Sequence, residues 1–160
     1  MERIAICPGT FDPVTNGHLD IVERAAGIFD KLIVAVAAEN YKAPLFTLDE
    51  RIHLLKETTS HLENVEVEGF HGLLVDYCQE KNSHVVVRGL RAISDFEREF
   101  QMALMNKEVL SSIETVFFMT AAQYQYVSSS IVKNFAAFGS NLDSLVPCNV
   151  AEALQKKYSK

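Results

Sequence analysis

The sequence predicts an α/β fold in which a five-stranded parallel sheet is covered by helices on both faces. Short apolar runs alternate along the whole chain with stretches of helical spacing. Those runs are continuous, as in KLIVAVAA (31–38) and HVVVR (84–88), which marks strands buried on both sides. Right-handed crossovers then favour the doubly wound order 3-2-1-4-5, a Rossmann-like arrangement closed by a C-terminal helix.

The first strand is read at residues 3–8 (RIAICP). Gly, Pro and Asn then mark a loop over 9–17, and a helix starts near Gly17 with Leu19, Ile21, Val22, Ala25, Ala26 and Phe29 on its apolar face. The second strand covers 31–38 and is followed by a loop over 39–46. Thr47 and Glu50 form a Thr-x-x-Glu capping box that opens a helix to about His61. A third strand is read at 65–68. The next helix runs over about 72–81, with Leu73, Leu74, Tyr77 and Cys78 expected inward. The fourth strand covers 84–88. Ser94 and Glu97 suggest a second capping box before a helix to about Leu110, where Phe96, Phe100, Ala103, Leu104 and Lys107 fall at helical spacing. The fifth strand covers 115–119, a helix spans 128–138 with Gly139 as its stop, and Asn149 is expected to cap the last helix. No repeat, linker or low-complexity tract divides the chain, so residues 1–160 are expected to form a single domain.

Charge and composition narrow the function. The net charge of −6 argues against a nucleic-acid or membrane surface, so cations that meet phosphates must be concentrated locally. No apolar run is long enough to cross a bilayer and no signal-like segment opens the chain, so a cytoplasmic location is expected. Cys7, Cys78 and Cys148 lack the spacing of a metal or redox pair and are expected to be reduced and partly buried.

In the order 3-2-1-4-5, strands 1 and 4 are neighbours, and ligands bind beyond their C-terminal ends. Two loops leave those ends and are expected to face one crevice. The first is PGTFDPVTNGH (8–18). Gly9 and Gly17 allow close backbone approach, Thr10 offers a hydroxyl, and amides at the helix start favour phosphate oxygens. His18, in the first turn, can donate to the same place. The spacing is neither that of a Walker A loop nor that of a dinucleotide fingerprint. The second loop is RGLR (88–91), where the forks of Arg88 and Arg91 suit phosphate, although either could instead pair with Asp95, Glu97 or Glu99. Glu99 could be a surface charge, or could bind a ribose hydroxyl or an adenine-side group. Lys42 reads alone as a solvated lysine near the crevice mouth. Ser128, Ser129 and Ser130 supply a helix cap and phosphate donors, although capping needs only one of them. No Ser-His-Asp group or placed cysteine offers a nucleophile, which favours direct transfer between bound substrates.

These residues resemble the nucleotidyltransferase superfamily, whose T/H-x-G-H signature is matched by Thr15-Asn16-Gly17-His18. The fuller set resembles the bacterial phosphopantetheine adenylyltransferases. It comprises PGTFDPVTNGH, Lys42, FTLDER (46–51), RGLRAISDFE (88–97), Met105-Asn106 and VSSSIVK (127–133). The resemblance implies transfer of AMP from ATP to 4′-phosphopantetheine, giving dephospho-coenzyme A and pyrophosphate. It implies that His18 stabilises the transition state, with Thr10, Lys42 and Arg91 beside it as catalytic groups. Thr10, Lys42, Leu74 and Arg88 would hold the acceptor. Thr10, Phe11, His18, Gly89, Leu90, Arg91, Glu99, Tyr124, Gln125, Tyr126, Val127, Ser128, Ser129 and Ser130 would bind ATP. It further implies Mg²⁺, a homohexamer and restraint by coenzyme A. No carboxylate pair marks a protein metal cage, so phosphates and water are expected to hold the ion. Arg98, Cys7 and the stretch Ala121-Ala122-Gln123 depart from the family pattern.

Overall fold

The structure is a computed structural model that describes residues 2–38 and 43–159. Five strands form one sheet in the order β3-β2-β1-β4-β5, with every pair parallel. They are β1 (Ile4–Gly9), β2 (Lys31–Ala37), β3 (Val65–Phe70), β4 (Val85–Leu90) and β5 (Glu114–Met119). The helices are α1 (Asn16–Ala26), α2 (Leu48–Thr58), α3 (Leu74–Glu80), α4 (Ile93–Val109), α5 (Ser129–Ala137) and α6 (Cys148–Tyr158). The expected strand order is therefore found, with six α-helices among the described residues.

The pleat explains why the strand sequences are continuously apolar. Along β1, Ala5 and Cys7 belong to one core and Ile6 to another; along β2, Leu32, Val34 and Val36 oppose Ile33 and Ala35. The first core packs α1, α2, α5 and α6 residues such as Val22, Leu55, Val132 and Leu154. The second takes Tyr77 and Cys78 of α3, and Ile113 before β5. It is the thinner layer. Phe96, Phe100 and Leu104 keep the helical spacing read in α4, yet each is about half exposed.

Several local expectations are corrected. Leu73 points outward, because α3 begins only at Leu74 and Gly72 holds a left-handed φ of 77° just before it. The α4 helix starts at Ile93 after Ala92, whose side chain has no capping oxygen, so Ser94 lies inside the helix and is not its cap. Asn149 lies inside α6, which begins after Pro147. Its amide instead donates to the Leu54 carbonyl and Glu57, tying α6 to α2. Cys7 and Cys78 are buried, as expected, but Cys148 is exposed. The Thr47–Glu50 box is present in both directions, at 2.8 and 3.2 Å.

Candidate active site

Strands β1 and β4 are adjacent, and their C-terminal ends meet. Gly9 and residues 88–90, read from the sequence as loop, are the last residues of these strands, and only Arg91 of RGLR lies beyond β4. Arg88 Nη1 donates to the Pro8 carbonyl at 2.6 Å. Arg91 Nη1 donates to the Val127 carbonyl at 2.9 Å, which draws in the loop before α5. Ser129 Oγ donates to the Pro13 carbonyl at 2.8 Å and ties that same loop to the first one. Three segments far apart in sequence therefore close around one end of the sheet, as the switch-point argument requires.

The first loop is built around His18. Thr15 caps α1: its hydroxyl accepts from the His18 amide, and its own amide donates to His18 Nδ1 at 3.0 Å. This is a capping box with histidine in the place usually taken by Glu or Gln. An Nδ1 that accepts must be unprotonated, so the ring proton lies on Nε2. Burial, with the positive charges of Arg91 and Arg88, lowers the His18 pKa to about 4. The imidazole is thus a neutral donor at physiological pH. Phe11 packs edge-on against the ring with centroids 5.1 Å apart. Phe11 itself has a φ of 51° and is buried. Gly9 serves this packing: a Cβ there would lie 2.9 Å from the Phe11 ring. The close approach expected of Gly9 is made to Phe11. Two of the first-turn amides expected to face an anion are also engaged, Asn16 with the Leu145 carbonyl and His18 with Thr15 Oγ1.

A cavity of about 250 Å³ opens beside the loop, lined by Thr10, Leu74, Arg88, Glu99, Met102 and Asn106 among others. Arg88 is held by Glu99 through two contacts, at 2.7 and 2.5 Å. Burial alone would depress Arg88, but the Glu99 carboxylate outweighs it and raises the pKa. Arg91 pairs with Asp95 at 2.9 Å. Both arginines therefore make the salt bridges that the sequence allowed, while remaining at the rim of the sheet. Glu99 reaches the cavity and Arg88.

Of the other residues singled out, Thr10 is exposed and Leu74 is partly buried in the cavity wall. Gly89 packs so closely that a Cβ would lie 3.0 Å from Ile21. The side chains of Leu90 and Val127 are buried. Tyr124 closes a single 3₁₀ turn (Ala122–Tyr124), and Gln125 and Tyr126 follow exposed. Ser128 caps α5 by accepting from the Ile131 amide, Ser129 binds Pro13 and Ser130 is exposed. Lys42 lies outside the described residues.

Two residues that sequence reasoning did not single out support this end of the sheet. Asp12 is buried and accepts from the amides of Leu45 and Phe46, each at 2.9 Å, and from Lys133 at 2.7 Å. Burial would raise its pKa, but Lys133 and the two amides together hold it below the usual carboxylate value. Arg51, almost wholly buried, donates to the carbonyls of Phe46, Thr10 and Ala37. Among the described residues no group of three or more His, Cys, Asp or Glu side chains is assembled. They do not fit a protein-built Mg²⁺ cage.

The family profile described as cytidylyltransferase-like matches residues 6–135. The phosphopantetheine adenylyltransferase of Carboxydothermus hydrogenoformans is 54% identical over 158 residues, which cover 99% of this chain and 98% of that one. This chain belongs to the phosphopantetheine adenylyltransferase family. The Caldanaerobacter subterraneus family member is 55% identical, covering 99% of each chain. A solved structure from Vibrio parahaemolyticus, assigned as a nicotinate-nucleotide adenylyltransferase, superimposes with a TM-score of 0.70. It covers 97% of this chain and 99% of its own at 18% identity, a likeness of fold alone. Within the adenylyltransferase family frame, the neutral His18 and the cavity beside Thr10 are the features on which a reaction can be built.

Proposed function

We propose that the chain joins ATP and 4′-phosphopantetheine by direct in-line transfer, releasing pyrophosphate. The observation that carries this reading is the Thr15 amide held on His18 Nδ1 at 3.0 Å, which leaves Nε2–H as a donor at the start of α1, in a segment whose residues Pro8 to Thr10 line a cavity together with Arg88. An oxygen of the acceptor phosphate attacks the α-phosphorus of ATP. The new P–O bond forms as the bond to the bridging α–β oxygen breaks, and the electron pair leaves with pyrophosphate.

Both reactants are anions, so their repulsion is the first barrier. Lys42, Arg88 and Thr10 would hold the acceptor phosphate, and Arg91 with the start of α5 would receive the nucleotide. Charge accumulates on phosphoryl oxygens as the transfer proceeds. A neutral imidazole donor aimed there stabilises it without giving up its proton. Holding both substrates in line lowers the entropic part of the barrier. Leu74 and the apolar wall formed with Met102 suit the uncharged pantetheine arm. Mg²⁺, held by ATP phosphates and water, would neutralise further charge.

Coenzyme A carries the same arm, so it would compete for the same cavity and restrain the enzyme. The exposed apolar stripe Phe96, Phe100 and Leu104 on α4 supports burial against another copy of the chain, and the homohexamer is the assembly that the family resemblance implies. No helix among the described residues is long and apolar enough to cross a membrane, and we place the reaction in the cytoplasm.

The test is turnover of ATP with 4′-phosphopantetheine, read by pyrophosphate release and product mass. Dephospho-coenzyme A is the expected product. Activity with nicotinate mononucleotide or a sugar-alcohol phosphate in its place, or with CTP, would assign a different acceptor or donor. Tight ATP binding with no pyrophosphate release from any acceptor would make the chain a binding protein.

A further inference from the structure

The segment FTLDER contributes to the site through Arg51, which touches no part of the expected reaction directly. Arg51 is 1% exposed, a costly place for a guanidinium. It makes no ion pair among the described residues, and its donors go to three carbonyls instead. Nη1 reaches Thr10 at 2.8 Å and Ala37 at 2.9 Å, and Nε reaches Phe46 at 3.2 Å. Asp12 is the charge that stabilises it from a distance, and the short contact of Asp12 is with Lys133.

The location of those carbonyls gives the arrangement its meaning. Thr10 follows the end of β1, Ala37 ends the neighbouring β2, and both line the 250 Å³ cavity. Parallel strands leave carbonyl lone pairs unpaired at their C-terminal ends. Such lone pairs repel an incoming phosphate. One buried guanidinium nitrogen occupies both, pins the two strand ends together, and adds positive potential below the cavity.

We infer that Arg51 is a positioning residue for the phosphate of the acceptor, acting through the carbonyls of Thr10 and Ala37. This inference rests on the acceptor reading given above. It requires that Arg51 discriminate between a phosphorylated and an unphosphorylated form of the same ligand. A residue that merely supports the fold would affect both forms alike.

The test sets the Michaelis constant for the phosphorylated acceptor against the inhibition constant of pantetheine, which lacks the phosphate. Both are measured in the unmodified protein, Arg51→Met and Arg51→Lys, well below each variant's Tm. In Arg51→Met, affinity for the phosphorylated ligand is expected to fall about tenfold or more, while pantetheine and ATP change by less than about twofold. Arg51→Lys restores the charge without the fork and is expected to recover part of the loss. If Arg51→Met does not fold, the Arg51→Lys ratio decides, with an expected fall of about threefold. An unchanged ratio of the two affinities in the folded variants overturns the inference, as does equal weakening of both ligands. If the unmodified protein itself fails to turn over the phosphorylated acceptor, the acceptor reading falls and the role of Arg51 with it. If the unmodified protein is active and the ratio does not move, only the role of Arg51 falls.

Discussion

The amide of Thr15 donates to Nδ1 of His18 across 3.0 Å, and this one contact decides which ring nitrogen carries a proton. It turns a histidine that could titrate into a fixed donor whose Nε2–H is present throughout the neutral range. The same contact completes the cap of α1, so the donor's orientation is coupled to the helix start.

His18→Ala is expected to lower kcat about a hundredfold, or about 3 kcal/mol in the barrier, by removing a donor needed in the transition state. Substrate KM values should change far less. Part of the cap is lost as well, so Tm should fall, with a stability cost of about 1 kcal/mol. Pyrophosphate release measured well below Tm separates the two effects. Near-full turnover in the variant would remove His18 from the chemistry.

Acid stability gives an independent reading of the same residue. The ordinary histidine pKa of 6.5 falls to about 4 in the folded chain, so the unfolded chain binds more protons in between. His18 therefore contributes stability that is fully present above 6.5 and lost as pH falls toward 4. The total is of order 3 kcal/mol. Denaturant titrations at several pH values should show His18→Asn losing less stability across that window than the unmodified protein. Asp12 acts in the same direction but lower, below the ordinary carboxyl value of 3.8.

Glu99→Gln should act through Arg88. The carboxylate holds the guanidinium by two contacts, and the pair is only partly buried. The stability loss is expected to be about 1–2 kcal/mol, and the acceptor KM should rise more than the KM for ATP. Steady-state kinetics with each substrate varied in turn would check this. A selective rise in the ATP KM would return Glu99 to the nucleotide side.

Phe100→Glu should shift the protein to smaller species in sedimentation velocity. Phe96 and Phe100 stack with centroids 5.7 Å apart on an outward face of α4, and a charge there opposes burial against another copy. A monomeric unmodified protein would overturn the proposed assembly, and an unchanged sedimentation coefficient of an oligomer would exclude this face from it.

The sheet order and the meeting of the β1 and β4 loops were legible because they depend on patterns that sequence displays: apolar continuity, turn residues and connection handedness. The Thr47–Glu50 box was legible for the same reason, since its residues match a known local pattern. Ser94–Glu97 matches that pattern equally well, yet α4 begins at Ile93, so the motif does not fix where a helix starts. The Thr15–His18 box was hidden because histidine stands in for Glu or Gln. Arg88–Glu99 was legible as one of the pairings the sequence allowed. Asp12–Lys133 and Arg51–Thr10 join residues far apart in sequence, and no local signal announces them. Arg51 in particular sits beside Asp49 and Glu50, where a cation resembles any solvated helix charge. Leu73 was misread because the apolar pair Leu73-Leu74 straddles the helix start, and only one of the two can face inward.

The two shielded cysteines belong to opposite layers, Cys7 with the α1 side and Cys78 with the α3 side. Burial also raises each thiol's pKa to about 11, so neither reacts readily while covered. Cys148 would take up a thiol reagent at once. The later uptake at the other two positions then keeps separate time for the two halves of the molecule. Alkylation followed by peptide mass would tell which side parts first when the chain is heated, without any introduced probe.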